Sequence, residues 1–241
     1  MGRTFENRKH AMAKRGDRDA KAFTRAGRHI SMAVRAGGGD PDGNPALRRA
    51  IQNARAVSMP KDRIQAAIDK AMGLGDGDAF QSILYEGYGP HGIAILVDTT
   101  TDNPTRTVAN VRLAFKKGNG NLGNSGSVSF LFDHFGFFRL SPEGINREEL
   151  ELEFIDHGLE QLEEGEADDG SPVLVLRCSR ESFGKVQSAL DERGIEPVSS
   201  GFEWIPKDST TLPDDQAEEV MALIERLEQD DDVQQVFATL D

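Results

Sequence analysis

The sequence predicts an α+β protein in which a helical N-terminal part precedes a part that mixes helices and strands. Apolar residues recur with a helical period of about 3.6 residues between positions 18 and 72. After residue 79 the pattern changes to strands, and residues 135–204 give the predicted order β-α-β-β-α-β, a split βαβ arrangement. A chain of 241 residues is long enough for two or three small domains with cores of their own.

The helix predicted over residues 18–35 has an apolar face and a cationic face. At ~100° per residue, each set of side chains falls within an arc of about 100°, and the two arcs are almost opposite. The apolar set is Phe23, Ala26, Ile30, Ala33 and Val34. The cationic set, called the α1 ridge below, is Arg18, Lys21, Arg25, Arg28 and Arg35. We expect the apolar set to pack in a core.

Two further helices are predicted to complete the N-terminal part. Asn44 followed by Pro45 is an N-cap with proline at the first helical position. Met59-Pro60 opens the third helix, with Ile64 and Ile68 facing inward. We expect residues 1–17 to form a basic arm, residues 18–73 the helical domain, and residues 73–78 a flexible linker.

The remaining elements follow from alternation, turns and caps. Residues 81–88 and 92–99 predict a hairpin, and Asn103-Pro104 starts a helix with Val108, Val111 and Phe115 facing inward. A Gly/Asn-rich loop covers residues 118–126, and residues 127–132 predict a strand. The later predicted elements cover residues 135–140, 147–157, 159–163, 173–177, 181–193 and 196–204, then a helix from Pro213 and a strand at 233–238.

Charge is distributed unevenly along the chain. Residues 1–73 contain sixteen Lys and Arg against seven Asp and Glu, a net charge of +9, whereas the rest carries −22 and the whole chain −13. Such asymmetry indicates an anionic partner for one part of the molecule only. A solvated helix face is the alternative reading of any run of charges. The clustering on one face, the few local acids and the opposite sign elsewhere favour nucleic-acid binding.

The predicted contacts are with phosphates, so these residues contribute affinity rather than base recognition. The primary set is Arg3, Arg8, Lys9, Lys14, Arg15, Arg18, Lys21, Arg25, Arg28 and Arg35. A secondary set is Phe5, Arg106, Arg112, Lys116 and Lys117, with Phe5 offering an aromatic ring for stacking on a base.

Patterns typical of enzymes and cofactor sites are absent from the sequence. The Gly-rich loop lacks the strand, helix and lysine of a phosphate-binding P-loop, and no nucleophile elbow occurs. Cys178 is interpreted as a core residue. His91 is interpreted as a turn residue and His134 as a residue at the end of a strand, and a functional role stays open for both histidines. Asp230-Asp231-Asp232 reads as a solvated turn. We therefore expect no catalytic residues, no metal, no cofactor and no small-molecule substrate.

The sequence also bears on location. No apolar run approaches the ~20 residues of a membrane span, and no signal peptide opens the chain. A single cysteine precludes an intrachain disulfide. An Arg-rich transit peptide is the alternative, but Glu6, Asp17 and Asp19 interrupt this arm and its first serine is Ser31. We expect a cytoplasmic protein without a membrane partner.

Several motifs resemble the YebC/PmpR family over nearly the whole chain. They are Met1-Gly2-Arg3, Phe23-Thr24, Gly37-Gly38-Gly39-Asp40-Pro41 with Asn44, Asn53-Ala54, Met59-Pro60-Lys61-Asp62, Tyr85-Glu86-Gly87-Tyr88-Gly89-Pro90-His91-Gly92, Thr101-Asp102-Asn103 with Arg106-Thr107-Val108-Ala109, Gly120-Asn121-Leu122-Gly123, Gly126-Ser127-Val128, and Asp230-Asp231-Asp232-Val233-Gln234 with Val236. The start departs from the pattern, because many members have tryptophan where Phe5 stands and histidine where Arg3 stands.

The resemblance implies three domains, the last inserted into the middle one. Together with the predicted order of helices and strands, the resemblance predicts three domains. They are a three-helix domain, a middle α/β domain (79–133 plus 206–241) completed by the C-terminal helix and strand, and an inserted ferredoxin-like, split βαβ domain (134–205). It implies a DNA-binding transcriptional regulator. The alternative that it leaves open is a ribosome-associated translation factor that binds ribosomal RNA and aids synthesis of proline-rich stretches.

Overall fold

The computed structural model describes the backbone of residues 3–73, 80–167 and 170–241, and side chains from residue 19 onward within those ranges. The chain divides into two compact units, Met1–Phe80 and Gln81–Asp241, which are described separately. Helices and two antiparallel sheets make the fold α+β, as the sequence predicts.

The described residues of the first unit form three helices: α1 (Arg3–Gly37), α2 (Pro45–Ala56) and α3 (Lys61–Gly73). Its core forms where Ile30 and Val34 of α1 meet Leu47 of α2 and Ile64 and Ile68 of α3. Phe23 and Ala26 pack against the same cluster, and Ala33 lies within it, so the predicted apolar face of α1 is confirmed.

Helix α1 begins at Arg3 rather than near Arg18. The predicted basic arm therefore has a helical backbone continuous with the ridge segment. The segment lacks apolar periodicity, which is the signal of a packed helix. Its alanines, lysines and arginines nevertheless have high intrinsic helix propensity, and no proline interrupts it.

Asn44 joins the end of α1 to the start of α2. Its Oδ1 accepts a hydrogen bond from the backbone N–H of Leu47 at 3.1 Å, as the predicted N-cap requires. Its Nδ2 donates to the carbonyl oxygens of Ala33 and Gly38, both at 2.8 Å. The side chain is only 4% exposed, so these three hydrogen bonds are largely shielded from water.

We predict that Asn44→Ala lowers the free energy of unfolding by about 2–3 kcal/mol, because it removes a cap and two further hydrogen bonds from a buried site. Equilibrium urea denaturation monitored by circular dichroism measures this loss. Asn103→Ala is the matched control: it removes the cap of the helix Pro104–Lys117 at an exposed position where the side chain makes this one hydrogen bond to the described residues, and should cost only about 1 kcal/mol. Equal stability of wild type and Asn44→Ala would contradict the role of this residue.

The turn between α2 and α3 is fixed by two hydrogen bonds at the end of α2. Ser58 N–H donates to the Arg55 carbonyl at 2.8 Å, and Met59 N–H donates to the Ala54 carbonyl at 2.9 Å. This is the Schellman pattern, and Ser58 occupies its left-handed position with φ of 60°. The two helices are thus held by a defined turn.

The first sheet of the second unit contains a hairpin, a short strand beside its first strand, and the C-terminal strand beside its second. Its elements are β1 (Gln81–Tyr88), β2 (Ala94–Thr101), α4 (Pro104–Lys117), β3 (Asn121–Leu122), α7 (Asp214–Glu228) and β8 (Val233–Ala238), in the strand order β3-β1-β2-β8. Asn103 Oδ1 caps α4 by accepting from Arg106 N–H. Phe115 and Leu223 are fully buried where α4 and α7 cover the sheet.

The second sheet has the predicted β-α-β-β-α-β order. Its elements are β4 (Phe132–Leu140), α5 (Arg147–Ile155), β5 (Leu159–Glu166), β6 (Pro172–Ser179), α6 (Phe183–Glu192) and β7 (Ser199–Pro206). The strand order β5-β6-β4-β7 is that of a ferredoxin-like sheet. This block lies in sequence between β3 and α7, so the ferredoxin-like domain is inserted into the domain that α7 and β8 complete.

The strand predicted at residues 127–132 is wrong. A turn of 3₁₀ helix occupies Ser129–Leu131, and β4 starts only at Phe132. The cause is Glu86, whose carboxylate accepts backbone N–H groups of Gly126, Val128 and Ser129 at 2.7, 2.9 and 2.8 Å. These hydrogen bonds curl the segment around one carboxylate and remove the N–H groups that a strand would offer to a neighbour.

Candidate nucleic-acid interface

The structure describes four side chains of the predicted primary set. Lys21, Arg25, Arg28 and Arg35 lie on α1 and are half-buried. The other predicted contacts on this helix lie outside the described side chains: Arg3, Phe5, Arg8, Lys9, Lys14, Arg15 and Arg18. The ridge therefore exists along one helix, but its described part is less open to solvent than the sequence indicates.

Part of the α1 ridge is engaged within the protein. The Arg28 guanidinium carbon lies 5.4 Å from the centre of the Phe80 ring, a cation–π contact. Arg25 also interacts with another residue of the chain. In Arg35, Nε and Nη2 are shielded from solvent and lack a hydrogen-bond partner among the described residues. These two atoms cannot reach a phosphate in this conformation, which leaves Nη1 as the possible donor.

A second group of cations in the first unit was missed by the sequence reading. Arg48 and Arg55 lie on α2, and Lys61, Arg63 and Lys70 lie on α3. All five side chains are exposed. The signal that identifies them is spacing: Arg48 and Arg55 are seven residues apart, as are Arg63 and Lys70.

Arg106 of the predicted secondary set is held by carboxylates. Its Nη2 lies 2.8 Å from both Asp102 and Asp232, and its Nε donates to Asp232 at 3.3 Å. The hydrogen bonds to these two carboxylates, chiefly to Asp232, raise the pKa of Arg106 above its usual value. Two of its three nitrogen atoms are thus occupied inside the protein. Arg112, Lys116 and Lys117 are exposed on α4.

Asp232 corrects the reading of Asp230-Asp231-Asp232 as a solvated turn, since its exposed fraction is 2%. Besides Arg106, the hydroxyls of Thr107 and Thr101 donate to its Oδ2 at 2.7 and 3.2 Å. The carboxylate therefore ties the start of α4 to the turn before β8. It belongs to the architecture of the middle domain rather than to a ligand site.

The Gly-rich loop at residues 118–126 has a packing explanation. A side chain at Gly120 would lie 2.7 Å from the carbonyl oxygen of Tyr88, and one at Gly118 would meet Leu223 at 2.8 Å. The glycines thus allow the loop to run close to β1 and α7. The prediction of a plain connecting loop is wrong at Asn121–Leu122, which form β3 and pair with Gly87 and Tyr88 of β1.

The side chains considered for a catalytic role, Cys178, His134 and His91, each contact other parts of the protein. Cys178 is fully buried, and burial, with Glu160 nearby, raises its pKa to about 12, so the thiol stays protonated at neutral pH. His134 stacks on Trp204 with ring centres 4.1 Å apart, and burial followed by the charge of Arg180 lowers its pKa. His91 Nε2 lies 3.0 Å from Glu219. Within the ranges described, no three His, Cys, Asp or Glu side chains are grouped as a metal site.

Among the described residues of the second unit, five cations are paired with carboxylates. The paired residues are Arg106, Arg147, Arg177, Arg193 and Lys207. Arg177 shows the arrangement most clearly, because it donates to Glu163 and Glu203, both at 2.6 Å. The second unit thus neutralises part of its own positive charge.

Among the described helices, none has the length and apolar character needed to cross a bilayer.

Fold and charge together define a three-domain α+β protein with a basic helical N-terminal domain. The chain belongs to the TACO1/YebC family. Residues 3–74 match the model described as "TACO1/YebC protein N-terminal domain", and residues 80–240 match "TACO1/YebC second and third domain".

Similar proteins cover the whole chain. A protein of Anaeromyxobacter dehalogenans is 52% identical over 240 residues, spanning all of both chains, and one of Myxococcus xanthus is 51% identical over the same span. A Flavobacterium johnsoniae protein is 49% identical, covering all of this chain and 99% of its own. Each is named "Probable transcriptional regulatory protein". The crystal structure of the conserved hypothetical protein Aq1575 from Aquifex aeolicus is similar with a TM-score of 0.77 and 36% identity, covering 92% of this chain and 90% of its own.

Proposed function

We propose that this protein is a cytoplasmic, non-enzymatic regulator that binds nucleic acid through its N-terminal unit, and that duplex DNA is the partner. The names of its relatives, all probable transcriptional regulatory proteins, support the regulatory role and the choice of DNA. The protein would act by occupying its target rather than by chemistry on it.

The observation that carries the proposal is the separation of charge along the chain. Residues 1–73 carry +9 and the rest −22, and carboxylates neutralise several cations of the second unit. Lys and Arg displace counterions from the phosphate backbone, which supplies most sequence-independent affinity. The acidic remainder repels a second length of backbone, so the footprint stays limited to the basic unit.

The residues with catalytic potential also favour binding over chemistry. Cys178 is buried with a raised pKa, and His134 is packed against Trp204 rather than against a nucleophile. A regulator needs only a complementary surface, whereas an enzyme needs an acid, a base or a nucleophile next to a substrate space.

The alternative is a ribosome-associated translation factor that binds ribosomal RNA and aids synthesis of proline-rich stretches. Contacts with phosphates suit either polymer, because they carry no sequence information. Crosslinking in cells, followed by sequencing of both the DNA and the RNA bound to the protein, distinguishes the two. We expect DNA fragments to be enriched over an uncrosslinked sample. Enrichment in ribosomal RNA alone would overturn the DNA assignment and favour the alternative.

A further inference from the structure

Five exposed cations on α2 and α3 provide the most accessible positive charge that the structure describes in the first unit. They are Arg48, Arg55, Lys61, Arg63 and Lys70, called the α2–α3 cations below. We infer that these side chains, on helices other than α1, make principal contacts with the phosphodiester backbone of the nucleic acid. This inference rests on the proposed function and assigns its contact surface.

Exposure separates the α2–α3 cations from the described cations of α1, which are half-buried. None of the five forms an ion pair with any residue in the described ranges. On α1, by contrast, Arg28 lies over Phe80 and two nitrogen atoms of Arg35 are shielded from solvent. Arg63 also lies over an aromatic ring, that of Phe23, but unlike Arg28 its side chain is exposed. An exposed cation without an ion pair has no carboxylate to leave when it meets a phosphate, so its charge is available for binding.

Spacing arranges four of these cations in two rows. A separation of seven residues is two helical turns, about 10.5 Å along the axis, and returns to within about 20° of the same direction. Arg48 and Arg55 form one such row on α2, and Arg63 and Lys70 form the other on α3. Each row lies beside the buried positions of its helix: Leu47, Ala50 and Ala54 on α2, and Ile64, Ile68 and Ala71 on α3.

The surroundings suit an anionic polymer. Residues 44–73 contain six Lys and Arg against two Asp and Glu, and one of the two acids, Asp69, accepts a hydrogen bond from Gln65 at 2.9 Å. Arg63 lies 5.5 Å above the Phe23 ring. A guanidinium over an aromatic ring keeps its N–H donors at its edge, where they fit phosphate oxygens.

Rigidity is the second property that favours this surface. The Asn44 cap fixes the start of α2, and the Schellman turn at Ser58 fixes α3 relative to the end of α2. Cations on helices that are already held in place lose less conformational freedom on binding than cations on a mobile segment.

The test uses two double variants of the full chain, Arg48→Gln with Arg55→Gln, and Arg63→Gln with Lys70→Gln. Glutamine removes the charge and retains good helix propensity. Lys185→Gln with Arg226→Gln is the matched control, because both residues are exposed on helices of the second unit. The probes are a short DNA duplex and an RNA duplex of the same sequence, titrated over a range of salt concentrations. Circular dichroism verifies that the helices are intact.

The variants are compared on the duplex that the wild type binds. Near 100 mM salt, the affinity of each test variant should be about 10–100-fold lower than that of the wild type. The slope of log K against log salt should be shallower by about 1.8, because two charges are removed. The control should match the wild type. If the wild type binds with a steep salt slope and both test variants bind equally well with the same slope, the α2–α3 surface is refuted while the proposed function stands. If the wild type binds neither duplex, the proposed function fails and this surface with it.

Discussion

Replacing Asp232 with alanine should lower the free energy of unfolding by about 2–4 kcal/mol, a range set by the loss of a buried, hydrogen-bonded ion pair. Asp232 is 2% exposed and accepts hydrogen bonds from Arg106, Thr107 and Thr101. Without it, the buried threonine hydroxyls lose an acceptor. The Arg106 side chain is 46% exposed and regains water, which keeps the loss below that of a fully buried pair.

Urea denaturation of Asp232→Ala, together with hydrogen exchange of the β8 amides, measures the effect. Exchange in β8 should accelerate because Asp232 directly precedes this strand. Asp102→Ala is the matched control: Asp102 pairs with the same guanidinium but is 40% exposed, so its loss should cost less than about 1 kcal/mol. An Asp232→Ala protein as stable as Asp102→Ala would contradict the assignment of a structural role to the buried carboxylate.

Glu86→Gln should cost about 2–4 kcal/mol at neutral pH, because the carboxylate receives three charge-assisted hydrogen bonds from backbone N–H groups. Burial alone would raise the pKa of Glu86, but the donors at Gly126, Val128 and Ser129 outweigh it and lower the pKa below the ordinary value of 4.5. A native pKa below the unfolded one means that the charged form stabilises the fold. That contribution is complete above the ordinary glutamate pKa and is lost as the pH falls through the native value.

A series of melting temperatures against pH tests this dependence. The gap between wild type and Glu86→Gln should be constant near neutral pH and should narrow progressively below pH 4.5. Glu192→Gln provides the control, since Glu192 is an exposed glutamate on α6 and should show little difference at any pH. A gap that stays the same down to the acid limit of folding would show that the charge of Glu86 does not hold the loop.

Local signals account for the elements that were predicted correctly. Asn44 and Asn103 cap the helices that they were expected to cap, because a cap depends only on residues within one turn. The split βαβ order followed from period and turn residues alone. The interactions of Glu86 and Asp232 did not, because each joins residues separated by at least forty positions in the chain. No local pattern distinguishes a carboxylate of this kind from a solvated one.

The candidate interface was predictable to a similar extent. Helical periodicity identified the α1 ridge and placed its cations opposite Ile30 and Val34, which are buried. Helical periodicity shows on which side of a helix a residue lies, but not how exposed its side chain is to solvent. The contact of Arg28 with Phe80 and the shielding of Arg35 were therefore visible only in the tertiary structure. The rows on α2 and α3 were present in the sequence as pairs of cations seven residues apart. Their importance became apparent only once their exposure and lack of ion pairs were known.

The most direct test of the central claim, that the basic N-terminal unit binds a nucleic-acid backbone through its charge, is a salt titration of the wild-type protein on a DNA duplex. If about 6–10 phosphates are neutralised, affinity should fall about 10³–10⁵-fold between about 50 and 200 mM salt, with log K linear in log salt. Affinity that is unchanged across this range would contradict the claim, because binding without counterion release does not depend on the lysines and arginines of this unit.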